Sequence, residues 1–243
     1  MGETPRQNEN ELSFKIDHLA EGIRPIIACI GSIEQYGGEM AEIETIIHTG
    51  EKVDFYENPG NLEKRKFKNG GDQTYVISTI DEKPKYTNEL LDCTSLVAVG
   101  RKADSEVQIS FLTHQNPNAF FGKTKELFIK HLKEQLQLLK EKCLDKSIDV
   151  AIVGGKLTED DVFEYQRSLE VLGSVVEAVL GFDPTVVSGP KFRMQDNVFL
   201  DTANRRLYVE RPPGRSSSYD ATFKVKNVEK MKEKWQKKNP YEK

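Results

Sequence analysis

Two apolar runs joined by a charged turn, between Tyr86 and His114, constrain this chain most. Leu96-Val97-Ala98-Val99 reads as a short buried strand. Gly100 to Ser105 supplies turn residues and charges, and Val107 to Leu112 reads as a second strand. In that second strand Val107, Ile109 and Phe111 alternate with Gln108 and Ser110. A short loop between two antiparallel strands returns the chain to its starting edge. Cys93 stands just before the first strand and His114 just after the second. The hairpin is therefore expected to bring a thiol and an imidazole to one end of a sheet. A Cys–His nucleophile pair needs that placement, because the imidazole removes the thiol proton.

Each member has a plainer reading. Free cysteine packs well as a small apolar residue, and Cys29, inside PIIACIG, fits that description best. Cys93 differs because Asp92, Thr94 and Ser95 flank it. Cys143 closes a helix beside Lys140 and Lys142, with no partner in view. A lone histidine is most often structural, but His114 closes an apolar run and opens a polar segment. His18 and His131 fall on expected helices and His48 near a turn, without a route to Cys93. Thr87, six residues before Cys93, is by itself a polar loop residue. Its possible role is to orient the imidazole through an oxygen, the third part of such a triad.

Around the hairpin, the first third reads as short strands, mostly antiparallel. They are Ile26–Ile30, Lys52–Tyr56, an exposed 62–67 segment and Thr74–Ile80, after a short helix over Glu11–Leu19. Residues 33–50 fit either a strand or a helix. Downstream, Leu127, Phe128, Leu132, Leu136 and Leu139 recur at helical spacing from Thr124 to Cys143. A buried strand, Ile148–Val153, runs into Gly154-Gly155. A second helix is expected from Thr158 to about Leu180, with Asp160-Asp161 as an acidic first turn. Thr185–Val187, Val198–Leu200 and Leu207–Val209 complete the strands. These elements predict an α/β fold, a layered sandwich of mostly antiparallel strands flanked by helices. Three parts are expected: 1–84, a strand-rich part of the same globule or an extension; 85–211, the Cys–His core; and 212–243, a polar basic tail with a short helix near Val228–Trp235.

Composition narrows the function classes. A formal charge of −4 over 243 residues gives no electrostatic case for nucleic acid. No apolar run approaches a membrane span, and MGETPRQNENE lacks the pattern of a secretory signal. A cytoplasmic protein without membrane insertion is expected. Three distant cysteines, without CxxC or Cys/His metal spacing, predict no disulfide framework and no metal. Gly154-Gly155 belongs to neither GxxxxGK[ST] nor GxGxxG, so a dinucleotide site is not expected and the pair reads as a tight turn.

The order Thr87, Cys93, strand, turn, strand, His114 resembles the chemoreceptor glutamine deamidases of bacterial chemotaxis. Those enzymes share a Cys–His site and an α/β sandwich with the cytotoxic necrotizing factor-type toxin deamidases. The downstream order is similar: a helix, a strand ending in Gly-Gly (VAIVGGKL), a helix, a short strand (PTVVSGPKF) and a hairpin (NVFLDTANRRLYV). The resemblance spans Thr87 to Val209. Leu91-Asp92 stands where the family favours Gly-Ser, and Gln115-Asn116-Pro117 where it favours Leu-Pro. The resemblance implies deamidation of a protein's accessible glutamine through a Cys93 thioester, with His114 as base and acid, Thr87 as its orienter and no cofactor. The alternatives are a non-enzymatic protein-binding module on the same sandwich, or another Cys–His reaction such as thiol proteolysis or transglutamination.

Overall fold

The computed structural model describes residues 11–12, 17–31, 40–54, 74–155, 162–187, 189 and 195–211. The strands are β1 (Glu11–Leu12), β2 (Ile27–Gly31), β3 (Glu51–Lys52), β4 (Tyr75–Ile77), β5 (Lys85–Leu90), β6 (Thr94–Arg101), β7 (Gln108–Gln115), β8 (Asp149–Gly154), β9 (Thr185–Val186), β10 (Asp196–Asp201) and β11 (Arg206–Glu210). The helices are α1 (Met40–Thr49), α2 (Gly122–Lys142) and α3 (Val162–Leu180), with a 3-10 turn at Pro117–Phe120. One sheet has the order β1-β2-β11-β10-β5-β3, and the other β4-β7-β6-β8-β9. The fold is a layered, mixed α/β sandwich.

Three apolar clusters define its layers. The outer face of the five-stranded sheet packs Leu96, Ala98, Phe111 and Ile152 against α2 and α3. On α2, Phe128, Leu132, Leu136 and Leu139 fall at helical intervals and are fully buried. Each contributes roughly 1.5–3 kcal/mol by leaving water. Between the sheets lie Val97, Val99, Leu112, Val153, Val198, Leu200, Leu207 and Val209. On the far side of the six-stranded sheet, α1 covers Cys29, Phe199 and Tyr208 with Ile43 and Ile46. Strand β6 is thus covered on both faces, which is why LVAV carries no polar alternation. In β7 the polar face that carries Ser110 is buried. It looks into the gap between sheets, where the Ser110 hydroxyl bonds that of Thr202 at 2.7 Å.

Several sequence expectations change. Glu11–Leu12 is a strand antiparallel to β2, not the start of a helix. Residues 17–19 form a turn, so His18 is not helical; it stacks on Phe182 and lies 3.4 Å from Asp149. Residues 40–49 settle as a helix; of the strand expected over Lys52–Tyr56, Lys52 lies in β3, Val53 and Asp54 are in no strand, and 55–56 lie outside the described residues. The early strands are not mostly antiparallel: β2 runs parallel to β11, and β3 parallel to β5. Long connections permit this, since each partner lies far away in sequence. Across all described ladders six of nine are antiparallel. β2 and β3 lie in the sheet that holds β5, and β4 lies beside β7. The 62–67 strand, the Asp160-Asp161 helix start and the 212–243 tail lie outside the described residues. Among the described residues no helix is long and apolar enough to cross a membrane.

Candidate active site

The β6–β7 hairpin forms with Thr94 opposite Gln115 and Val97 opposite Leu112. No residue is inserted between these pairs on either strand, so Ser95 faces His114 and Leu96 faces Thr113. Alternation then sorts the side chains. Cys93, Ser95, Val97 and Val99 fall on the face toward the second sheet, together with Leu112 and His114. The packing agrees, because Cys93 packs against the cluster between the sheets. Cys93 itself precedes β6, and the alternation puts it diagonal to His114 on this face. His114 lies inside β7 and not after it.

Thr87 arrives from the opposite sheet. It lies in strand β5, not in a loop, and is fully buried. On β5, Tyr86 packs toward α1, so Thr87 points into the gap between sheets. There its hydroxyl is hydrogen-bonded to His114 Nδ1 at 2.8 Å. When Nδ1 carries the proton it donates to Thr87 Oγ1, which leaves Nε2 as the acceptor needed for a general base. Sequence placed Thr87 near the site; only the packing of the two sheets gives it an imidazole to hold.

Two further contributors had no signal in the sequence. Val53 N–H donates to the Tyr86 carbonyl at 2.8 Å, which continues the β3–β5 register to Val53 beside Thr87. This brings Val53 and Asp54 to the site. The Asp54 carboxylate acts on both Cys93 and His114. Asp54 also lies 3.8 Å from Lys52. A lone aspartate in VDFYE looks like strand-edge decoration until the parallel β3–β5 pairing exists.

Gly154 and Gly155 close the site's back. Both adopt positive φ, +83° and +82°, which side chains rarely tolerate. Gly155 N–H donates to the Cys93 carbonyl at 2.7 Å. A Cβ on Gly154 would stand 2.7 Å from that same carbonyl oxygen, and one on Gly155 would press into the Tyr165 ring. The pair therefore serves backbone approach to the Cys93 segment, as a tight turn beside the site.

The electrostatics describe a neutral resting pair. Burial pushes the Cys93 thiol up to about 12, and Asp92 and Asp54 push in the same direction. Burial drives His114 down to about 4, although Asp54 and the Val53 carbonyl favour its protonated form. At neutral pH the site is thiol and imidazole, not thiolate and imidazolium. A thiol and a neutral imidazole so placed are suited to chemistry in which attack by sulfur is coupled to proton transfer onto the ring.

The other cysteines are placed elsewhere. Cys29 is buried under α1. Cys143 is buried at the end of α2, and its thiol is raised to about 11 by burial. His131 Nδ1 bonds the Tyr75 hydroxyl at 2.7 Å, and His48 is an exposed residue of α1. Among the described residues no group of three His, Cys, Asp or Glu is arranged to hold a metal. No protein-family model matches the chain, and no curated protein matches it.

Proposed function

We propose that this chain is a Cys–His amidohydrolase that deamidates glutamine side chains of a protein substrate through a thioester, as the glutamine deamidases it resembles do. The observation that carries the proposal is the buried Thr87–His114 bond, made on the strand face that also holds Cys93. A threonine six residues before the cysteine then has the orienting role that the resemblance implies. Cys93 sulfur attacks the carboxamide carbon as its proton passes to His114. The oxyanion requires N–H donors, and His114 returns the proton to departing ammonia. A water deprotonated by His114 hydrolyses the thioester to glutamate. The cytoplasm, where thiols stay reduced, suits such a nucleophile.

One observation favours a second reading, a non-enzymatic protein-binding module: the thiol is held far from ionisation by burial and two carboxylates. The two readings separate on ammonia release. Incubation with glutamine-rich unfolded casein should release ammonia without chain cleavage, and Cys93→Ala should abolish it. Ammonia release that survives in Cys93→Ala, or none from the unmutated protein, favours the module. Chain cleavage without ammonia indicates thiol proteolysis.

A further inference from the structure

Ser95 is fully buried, and its hydroxyl has no hydrogen-bond partner among the described residues. Leaving a hydroxyl dry and unpaired is costly, and most of the face it occupies is apolar, with Val97, Val99, Leu112 and Val153. The register places it opposite His114 and one step along β6 from Cys93 on the same face. The ladder is also opened at this point. Leu96 N–H donates to the Thr113 side-chain oxygen at 2.8 Å, and the ladder's register skips Ser95–His114 and Leu96–Thr113. The neighbouring β6–β8 ladder runs unbroken through the same residues. An unspent hydroxyl thus faces the candidate base where the two strands part.

We infer that Ser95 is a positioning residue for the second half of the reaction: its hydroxyl and His114 together hold the water that hydrolyses the acyl-enzyme. The inference rests on the proposed Cys–His chemistry. A hydrolytic water needs one group to take its proton and another to aim its lone pair. Thr87 is engaged with the far nitrogen of the ring. Ser95 is the remaining hydroxyl facing His114 across the ladder. In the step, a water proton passes to His114 and the water oxygen bonds the thioester carbon. The carbon–sulfur bond then breaks, and the His114 proton returns to the Cys93 sulfur.

p-Nitrophenyl acetate tests this without knowledge of the natural substrate. Acylation of Cys93 releases a burst of nitrophenolate, and the later steady rate reports hydrolysis of the acetyl thioester. In Ser95→Ala the burst should stay within about twofold, while the steady rate falls by about tenfold or more. Acetyl-enzyme should accumulate on Cys93 in the intact mass, and hydroxylamine, which needs no aimed water, should restore turnover. An intact burst also shows that the variant is folded. Burst and steady rate both unchanged, or both reduced together, overturn the role of Ser95 and leave the Cys93 proposal standing. A burst that is missing from the unmutated protein, or that persists in Cys93→Ala, overturns both.

Discussion

Thr87 and His114 belong to different sheets, and their side chains meet across the gap at 2.8 Å in a fully enclosed contact. Docking of the six-stranded sheet on the five-stranded one is therefore also what orients the imidazole. Thr87→Val keeps the shape and deletes the hydroxyl. It should cost about 1–3 kcal/mol of stability, since the buried Thr87–His114 hydrogen bond is deleted. It should also lower Cys93-dependent ammonia release by about tenfold or more. Thr87→Ser should recover most of both. Equal activity in Thr87→Val and the unmutated protein would remove Thr87 from the site.

The buried His114 makes a signed contribution to acid stability. Its ring is held at about 4 in the fold, against about 6.5 in an unfolded chain. As pH falls below 6.5 the unfolded state gains a proton that the folded state refuses until about 4. Stability from this group is thus complete above 6.5 and drains as pH falls through that window, by roughly 3 kcal/mol. Asp196 works in the opposite sense. Burial lifts its carboxyl to about 6 despite the Arg211 guanidinium at 3.0 Å. Its contribution is complete below its unfolded value and drains as pH rises toward 6. The unfolding free energy of the unmutated protein minus that of His114→Gln, measured in urea, should rise from pH 4 to 6.5 and then level. A difference flat across that range would contradict a neutral, desolvated His114.

Cys93 should react slowly with iodoacetamide at neutral pH, and its rate should climb well beyond the range of an ordinary thiol. Asp54→Asn removes one of the two carboxylates that hold the thiol protonated. Labelling of Cys93 at pH 9 should then rise by about threefold. The same variant loses a charge that favours protonated His114, so catalysis should fall while alkylation rises. Both rates moving together would show that Asp54 does not act on the two groups separately.

Gly154 and Gly155 should not accept alanine. The left-handed backbone costs a side chain about 1–2 kcal/mol. Contact with the Cys93 carbonyl or the Tyr165 ring adds about 1–3 kcal/mol of overpacking. Chemical denaturation should place each variant about 2–5 kcal/mol below the parent. Gly181→Ala, at a positive φ with open space around it, should cost only the backbone part. A loss in Gly154→Ala no larger than in Gly181→Ala would show that the close approach to Cys93 is not needed.

Much of the frame was legible because local physics set it. The spacing of Phe128, Leu132, Leu136 and Leu139 permits one buried helix face. The unbroken LVAV and VAIV runs demanded strands covered on both sides, and the 96–99 and 107–112 runs with their charged turn demanded a hairpin. That hairpin put Cys93 and His114 on one strand face by register alone. What β5 would meet was not written locally. Thr87 acquires His114 only when the sheets stack, and Asp54 reaches the site only because β3 lies parallel beside β5. Pairing across long connections and packing of sheet on sheet depend on surfaces that do not exist until the elements have formed. The sequence by itself determined which residues could form a thiol–imidazole pair. The tertiary structure decided which hydroxyl holds the ring, which carboxylate acts on it, and how deeply burial suppresses the charge on both partners.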